Sequence, residues 1–163
     1  PGTVFQSIAT ETFSAGDDFI VSAYVGFDNL EPAASATIGF RQDKDDNTLA
    51  TDILYVTVDH LGNIVSDKPA GSGGIAARIK SGTKTWYRLY LNFNGTLDPQ
   101  TASTYLLLGN STENTASASV WFDGVQLEKA NGRNRPTSYS DGHKIISPND
   151  RIDLEGKAHY SDW

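Results

Sequence analysis

The sequence contains neither cysteine nor methionine, and only 13 of its 163 residues are lysine or arginine. The lack of cysteine excludes disulfide bonds, thiolate catalysis and cysteine-based zinc sites. With 20 acidic residues, the formal net charge is −7. This charge argues against nucleic-acid binding, because that requires basic patches. It also argues against anionic membranes and polyanionic glycans, although a local arginine cluster could override the average.

Long apolar runs are missing as well. No stretch approaches the roughly 18–20 residues that span a membrane, so we do not expect membrane insertion. The chain begins at Pro1 without a basic and apolar leader, and we therefore expect a processed product or a segment of a longer protein.

The stretch Trp86–Asn94 carries the clearest structural pattern. Side chains alternate between the two faces of a β-strand. One set is almost wholly apolar and consists of Tyr87, Leu89, Leu91 and Phe93. The other set is aromatic or hydrogen-bonding and consists of Trp86, Arg88, Tyr90 and Asn92. The pattern predicts a strand with one core face and one face suited to binding.

Eight further segments resemble strands and are separated by turn clusters every 8–12 residues or so. They are Val4–Thr12, Phe19–Phe27, Ala36–Arg41, Thr51–Val58, Ile64–Val65, Ile75–Ile79, Tyr105–Leu108 and Ser117–Leu127. No window holds a helical period for more than about two turns, so the chain is predicted to be all-β, as a sandwich or barrel. The predicted core comprises Val21, Val25, Ile38, Phe40, Leu54, Val56, Leu89, Leu91, Leu106, Leu108, Val125 and Leu127.

The composition changes after Glu128, where the chain becomes polar and rich in Gly, Pro and Asp. We therefore predict a β-sandwich domain over residues 1–128. Residues 129–163 are predicted to be a linker and C-terminal tail, or the start of a following module.

Several motifs occur in a characteristic order: Thr12–Val25, then Thr85–Leu89, then Val120–Glu128 (Val-Trp-Phe-Asp-Gly-Val-Gln-Leu-Glu), with Arg135–Tyr139 behind. In this the chain resembles the carbohydrate-binding-module-like jelly rolls of bacteriophage tail and tail-fibre proteins and of bacterial extracellular glycan-degrading enzymes. The resemblance covers about residues 4–139. It implies an antiparallel β-sandwich of jelly-roll topology, a polysaccharide partner, and an extracellular or virion location. Related modules usually open with an additional acidic strand, which Pro1–Thr3 does not supply.

Six residues form the predicted ligand-binding set, because they are aromatic or cationic and fall on the non-core side of their strands. They are Tyr24, Arg41, Tyr55, Trp86, Arg88 and Tyr90. Aromatic rings stack on the apolar faces of sugars, and arginine donates hydrogen bonds to hydroxyls. The alternative is ordinary cross-strand packing or a second buried layer.

Asp123 matches the position of an acidic residue that often holds a structural calcium ion in the modules that this chain resembles. The resemblance therefore implies Ca²⁺ as a cofactor. The upstream acidic partner is missing, and the alternative is an aspartate in a bulge or turn.

These observations favour a non-catalytic carbohydrate-binding module, and no catalytic motif in the sequence indicates an enzyme. Two alternatives remain open. The first is a structural or assembly domain of a phage tail, fibre or capsid decoration, which would form a homo-oligomer or join a larger assembly. The second is a fragment of a polysaccharide-degrading enzyme whose catalytic residues lie elsewhere.

Overall fold

Every regular element in the described part of the chain is a β-strand. The strand sequences alternate apolar with polar residues or are rich in β-branched residues. A computed structural model describes residues 3–8, 16–49, 53–94, 101–110 and 118–139. Its strands are β1 (Thr3–Ile8), β2 (Asp18–Asp28), β3 (Ser35–Lys44), β4 (Leu54–Asp59), β5 (Ile64–Lys68), β6 (Gly73–Ser81), β7 (Lys84–Asn94), β8 (Thr101–Asn110) and β9 (Val120–Lys129). Each predicted segment corresponds to one of these strands, so the all-β prediction is confirmed.

The strands form two antiparallel sheets that pack as a β-sandwich. One sheet has five strands in the order β1-β8-β3-β4-β5, and the other has four in the order β6-β7-β2-β9. Contacts of β3 and β4 with β7, and of β5 with β6, join the two sheets. In the described residues, no helix is long and apolar enough to cross a membrane.

The core lies between the sheets and is centred on the unbroken pairing of β2 with β7. Val21 pairs with Leu91 and Val25 with Tyr87, and all four side chains are buried. The predicted apolar face of Trp86–Asn94 is therefore confirmed. Nine of the predicted core residues are buried, namely Val21, Val25, Ile38, Phe40, Val56, Leu89, Leu91, Leu106 and Leu127. The other three, Leu54, Leu108 and Val125, are partly buried and pack against this core.

Residues 130–139, which we call the C-terminal segment, lie on the outer face of the four-stranded sheet. Glu128, which is fully buried, accepts hydrogen bonds from Thr137 N and Thr137 Oγ1, each at 2.8 Å. Asn92 Nδ2 donates to Asn134 O at 2.8 Å. The first part of the predicted tail thus packs on the sandwich. The domain boundary predicted after Glu128 stays a prediction, and residues 140–163 lie outside the described residues.

Candidate functional site

The six residues of the predicted binding set divide between the two sheets. Tyr24 is on β2, and Trp86, Arg88 and Tyr90 are on β7, all in the four-stranded sheet. Arg41 on β3 and Tyr55 on β4 belong to the five-stranded sheet. Side chains that point away from the core lie on opposite outer faces of two packed sheets. The structure therefore does not bring the six residues together in one site.

Arg88 is held inside the protein, with 4% of its surface exposed. Its Nη2 donates to Ser22 Oγ at 3.1 Å and to Gln126 Oε1 at 3.3 Å. Its Nη1 donates to Thr137 O, and the guanidinium carbon lies 5.9 Å from the centroid of the Tyr24 ring. Arg88 is therefore a positioning residue that fixes the C-terminal segment to the sheet.

Tyr24 also contacts the C-terminal segment. Its ring meets the Tyr139 ring edge to face, with centroids 6.1 Å apart and an interplanar angle of 84°. The two rings also flank Gly124, which has a φ of +56°. The C-terminal segment thus covers the middle of the outer face of the four-stranded sheet, from Tyr24 to Asn92.

At the other end of this face, two tryptophans stand on either side of a glycine. Gly26 on β2 pairs with Trp86 on β7 and with Trp121 on β9. A Cβ on Gly26 would lie 2.8 Å from Trp86 Cε3, so the Trp86 indole lies over the glycine. We call Trp86, Gly26 and Trp121, with Ile79 beside them, the tryptophan platform. Because neighbouring strands are about 4.8 Å apart, the backbones of the two tryptophans are separated by roughly 10 Å.

The platform remains accessible in the described structure. Ile79, which pairs with Trp86, is 46% exposed, and both indoles are half-buried. Within the described residues, none of the hydrogen bonds or ring contacts of the C-terminal segment involves Trp86 or Trp121.

Charged and polar groups border the platform where β2 ends. Lys84 Nζ lies 4.5 Å from the centroid of the Trp121 ring and 3.8 Å from Asp28 Oδ2. Asp28 Oδ1 accepts from Leu30 N at 3.0 Å, and Oδ2 accepts from Thr83 Oγ1 at 2.9 Å. The hydrogen bond from Leu30, with smaller effects of Thr83 and Lys84, lowers the pKa of Asp28 below its usual value. The edge of the platform therefore carries a fixed carboxylate and a cation.

Tyr90 lies apart from the platform on the same face. Its ring occupies the space over Gly74 on β6, where a Cβ would collide with it, and the side chain is half-buried. Arg88 stands between Tyr90 and Trp86 in the sequence and is covered by Thr137. Trp86 and Tyr90 therefore do not form one continuous exposed surface.

Arg41 and Tyr55 lie on a second aromatic surface, on the five-stranded sheet. Arg41 Nε donates to Asp43 Oδ1 at 2.6 Å, and its guanidinium lies 5.8 Å from the Phe5 ring centroid. Phe5 meets Tyr105 edge to face at 6.0 Å. Tyr55 pairs across the sheet with Gly39. Because Arg41 is already paired with Asp43, it offers fewer free donors than its sequence position suggested.

Asp123 lies at a bulge in β9. The pairing of β9 with β2 shifts between Ser22 and Tyr24, and Asp123 Oδ1 accepts from Gly124 N at 2.7 Å. In residues 3–8, 16–49, 53–94, 101–110 and 118–139, no three or more His, Cys, Asp or Glu side chains are grouped to hold a metal ion. Calcium binding at Asp123 stays a prediction. If the ion binds the folded protein, added calcium should raise the melting temperature and chelation should lower it.

No family model, curated protein or solved structure matches this chain. The chemistry of the surface itself is therefore what indicates a function.

Trp121 is the residue of this surface that sequence reasoning missed. It belongs to the Val120–Glu128 motif but not to the predicted binding set. Gly26 was the available signal, because a glycine inside a strand often marks a close approach of another group. That signal becomes specific only when the register places Gly26 between the two tryptophans.

Proposed function

We propose that this protein is a non-catalytic β-sandwich module that binds a cell-surface or extracellular polysaccharide through the tryptophan platform. The row Trp86–Gly26–Trp121 is the observation that supports the proposal. Indole rings stack on the apolar faces of sugar rings and bury large areas. The glycine leaves the backbone bare between the two rings, so that a sugar can approach the sheet closely.

The polar border of the platform suits sugar hydroxyl groups. Lys84 supplies donors, whereas Asp28 and Thr83 supply oxygen atoms, and these three residues are connected to one another. The contact of Lys84 with Trp121 is a cation–π interaction, and such contacts at exposed sites contribute about 0.5–1 kcal/mol. A sugar ring that stacks on Trp121 can displace the Lys84 ammonium group from the indole, because the contact between them is weak. The ammonium group can then donate a hydrogen bond to a sugar hydroxyl.

The proposal keeps three elements that the family resemblance implies. They are the jelly-roll connectivity of the sandwich, an extracellular or virion location, and a structural calcium ion at Asp123. The antiparallel two-sheet architecture supports the first of these. An ion-dependent melting temperature would support the third.

The test begins with a glycan array that identifies a bound polysaccharide, followed by calorimetric titration of its oligosaccharide into variants. Trp86→Ala and Trp121→Ala should each weaken binding about fivefold or more, since a stacked ring contributes on the order of 1 kcal/mol. Tyr55→Ala is the matched control, because it removes a half-buried aromatic ring from the opposite face. Wild-type affinity in both tryptophan variants, or an equal loss in Tyr55→Ala, would contradict the proposal.

Gly26→Ala tests the same surface without removing an aromatic ring. The added methyl group would lie within 2.9 Å of three atoms of the Trp86 indole, so the ring must move from its place over the strand. We expect weaker oligosaccharide binding in a protein that still shows a cooperative melting transition. Unchanged affinity would show that the position of Trp86 over Gly26 does not matter for binding.

An assembly role is the second candidate function, and β1 is the observation that favours it. Val4 and Phe5 point to opposite faces of this strand, and they are 64% and 49% exposed. Among the described strands, β1 pairs only with β8. An exposed edge of this kind is a template for pairing with another chain. If β1 mediates assembly, light scattering should detect an oligomer that Phe5→Lys disrupts, whereas a monomer at every concentration would refute this role.

A further inference from the structure

A cleft beside the tryptophan platform, from which Asp28 separates it, opens between the sheets at the same end of the sandwich. Its volume is about 320 Å³, at the lower end of the range for small-ligand sites. The β2–β3 loop, the β4–β5 turn and strands β6 and β7 form its walls. The residues that matter for its chemistry are Asp28, Asn29, Glu31, His60, Arg78 and Tyr87.

Arg78 is the cation of this cleft, and it is exposed. Its guanidinium carbon lies 5.8 Å from the centroid of the Tyr87 ring. Tyr87 is 2% exposed and donates its hydroxyl proton to His60 O at 3.2 Å, so its ring is fixed. Among the described residues, no carboxylate forms an ion pair with Arg78. A fixed ring thus holds a guanidinium whose N–H groups are available to a ligand.

Most of the side-chain carboxylate and amide oxygens that line the cleft are engaged within the protein. Both oxygens of Asp28 accept hydrogen bonds, and Glu31 Oε2 accepts from Ser119 N. Asn29 Oδ1 accepts from Thr85 Oγ1 at 3.1 Å. Glu31 keeps Oε1 as an acceptor, whereas the donors that the lining keeps are on Arg78 and on the Asn29 amide nitrogen.

The walls of the cleft are held in place without a ligand. Asp59 accepts from Leu61 N at 3.0 Å, from Asn63 N at 2.8 Å and from Asn63 Nδ2 at 2.9 Å. Gly62 has a φ of +88°, and a Cβ there would lie 2.5 Å from Tyr87 Cε1, so the turn rests directly on the ring. Preorganised walls of this kind lower the cost of ordering loops on binding.

We propose that this cleft binds a carboxylate group, with Arg78 as the principal donor and the Asn29 amide as the second. The guanidinium fork matches the two oxygens of a carboxylate and can bind both at once. The net charge of −7 repels anions at long range, and the carboxylates of Asp28 and Glu31 in the lining repel them locally. The attraction therefore depends on direct hydrogen bonds from Arg78 and Asn29. The ligand is a free carboxylate or the carboxylate of an acidic sugar, and the second source rests on the proposed function.

The test follows backbone amide signals of the full chain by nitrogen-15 correlation spectroscopy during titration with acetate, D-galacturonate and D-galactose. Galacturonate should shift the amides of Asn29 and Leu61 and the Nε–Hε signal of Arg78, and galactose should not. Acetate binding equal to that of galacturonate points to a free carboxylate, and tighter binding of galacturonate points to an acidic sugar. Either result supports the carboxylate site.

Variants decide whether Arg78 is the donor. Arg78→Gln should weaken galacturonate binding about tenfold or more, because hydrogen bonds to charged groups contribute about 1.5–3 kcal/mol. Lys80→Gln is the matched control, because it removes the same charge from an exposed residue of the same strand that does not line the cleft. It should stay within about twofold of the wild type. Should Arg78→Gln lower the melting temperature, Arg78→Lys retains the charge but loses the paired donors, and it should still weaken binding severalfold.

The carboxylate site is overturned if galactose shifts the same amides as strongly as galacturonate. It is also overturned if the Arg78 variants bind like the wild type or if Lys80→Gln weakens binding equally. The indole signals of Trp86 and Trp121 report on the platform in the same spectra. Failure of the cleft and failure of the proposed function are therefore separate observations.

Discussion

The buried carboxylate of Glu128 anchors the C-terminal segment, and Glu128→Gln tests this role directly. Its oxygens accept two hydrogen bonds from Thr137, each at 2.8 Å, and one from Arg133 Nη2 at 3.3 Å. Glutamine has nearly the same shape but replaces one acceptor oxygen with an NH₂ donor. In place of Oε1 that group would face the Thr137 backbone N–H, and in place of Oε2 it would face the Thr137 hydroxyl and the Arg133 guanidinium. The ion pair would be lost in either orientation.

The magnitude follows from the burial of the carboxylate. A hydrogen bond to a charged group contributes about 1.5–3 kcal/mol, and breaking a buried ion pair costs about 3–5 kcal/mol. The side chain of Arg133 is 27% exposed whereas that of Glu128 is 1% exposed, so water screens part of the pair. We therefore expect Glu128→Gln to lower the free energy of unfolding by about 2–4 kcal/mol.

Urea unfolding measures this change, and Asp17→Asn is its matched control. Asp17 Oδ2 pairs with Lys129 Nζ at 2.9 Å, but their side chains are 31% and 42% exposed. Loss of such a surface pair should cost less than about 1 kcal/mol. Trypsin should also cleave Glu128→Gln faster after Arg133 than it cleaves the wild type. If Glu128→Gln is as stable as Asp17→Asn, the carboxylate does not anchor the segment.

Three further predictions concern stability. Leu89→Ala should cost about 2–5 kcal/mol in the free energy of unfolding, and a change below about 0.5 kcal/mol, typical of surface sites, would contradict its burial. Gly62→Ala should cost more than Gly71→Ala in urea unfolding, because both have positive φ but only the first meets a ring, that of Tyr87; equal costs would refute the contact. Burial of Asp59 opposes its ionisation, but hydrogen bonds outweigh burial and lower its pKa. The stabilisation is therefore present above its usual pKa near 3.8 and should be lost as the pH falls below that value, and Asp59→Asn should remove this part of the pH dependence.

Local alternation was sufficient to predict the strands and the core. The apolar set of Trp86–Asn94 is buried in the structure, because a strand between two neighbours in a packed sheet must direct one face to the core. Alternation within Phe19–Phe27 gives the same assignment for Val21 and Val25, and both are buried. These predictions depend only on neighbouring residues in the sequence, so they need no knowledge of how the strands pair.

The candidate site could be predicted only in part, because it depends on pairing between distant strands. Alternation places Arg88 on the outer face correctly, but it does not show that Thr137 will cover the side chain. It also does not assign Arg41 and Trp86 to different sheets, a division that the strand order decides. Trp121 was missed for the same reason, since only the register sets it beside Gly26.

The most direct test of the tryptophan platform uses the indole N–H signals of nitrogen-15-labelled protein. The chain contains three tryptophans, Trp86, Trp121 and Trp163, so three indole signals are expected. Titration with the oligosaccharide that the array identifies should shift the signals of Trp86 and Trp121 together, with one shared affinity. Saturable binding that leaves both platform signals in place would contradict the account.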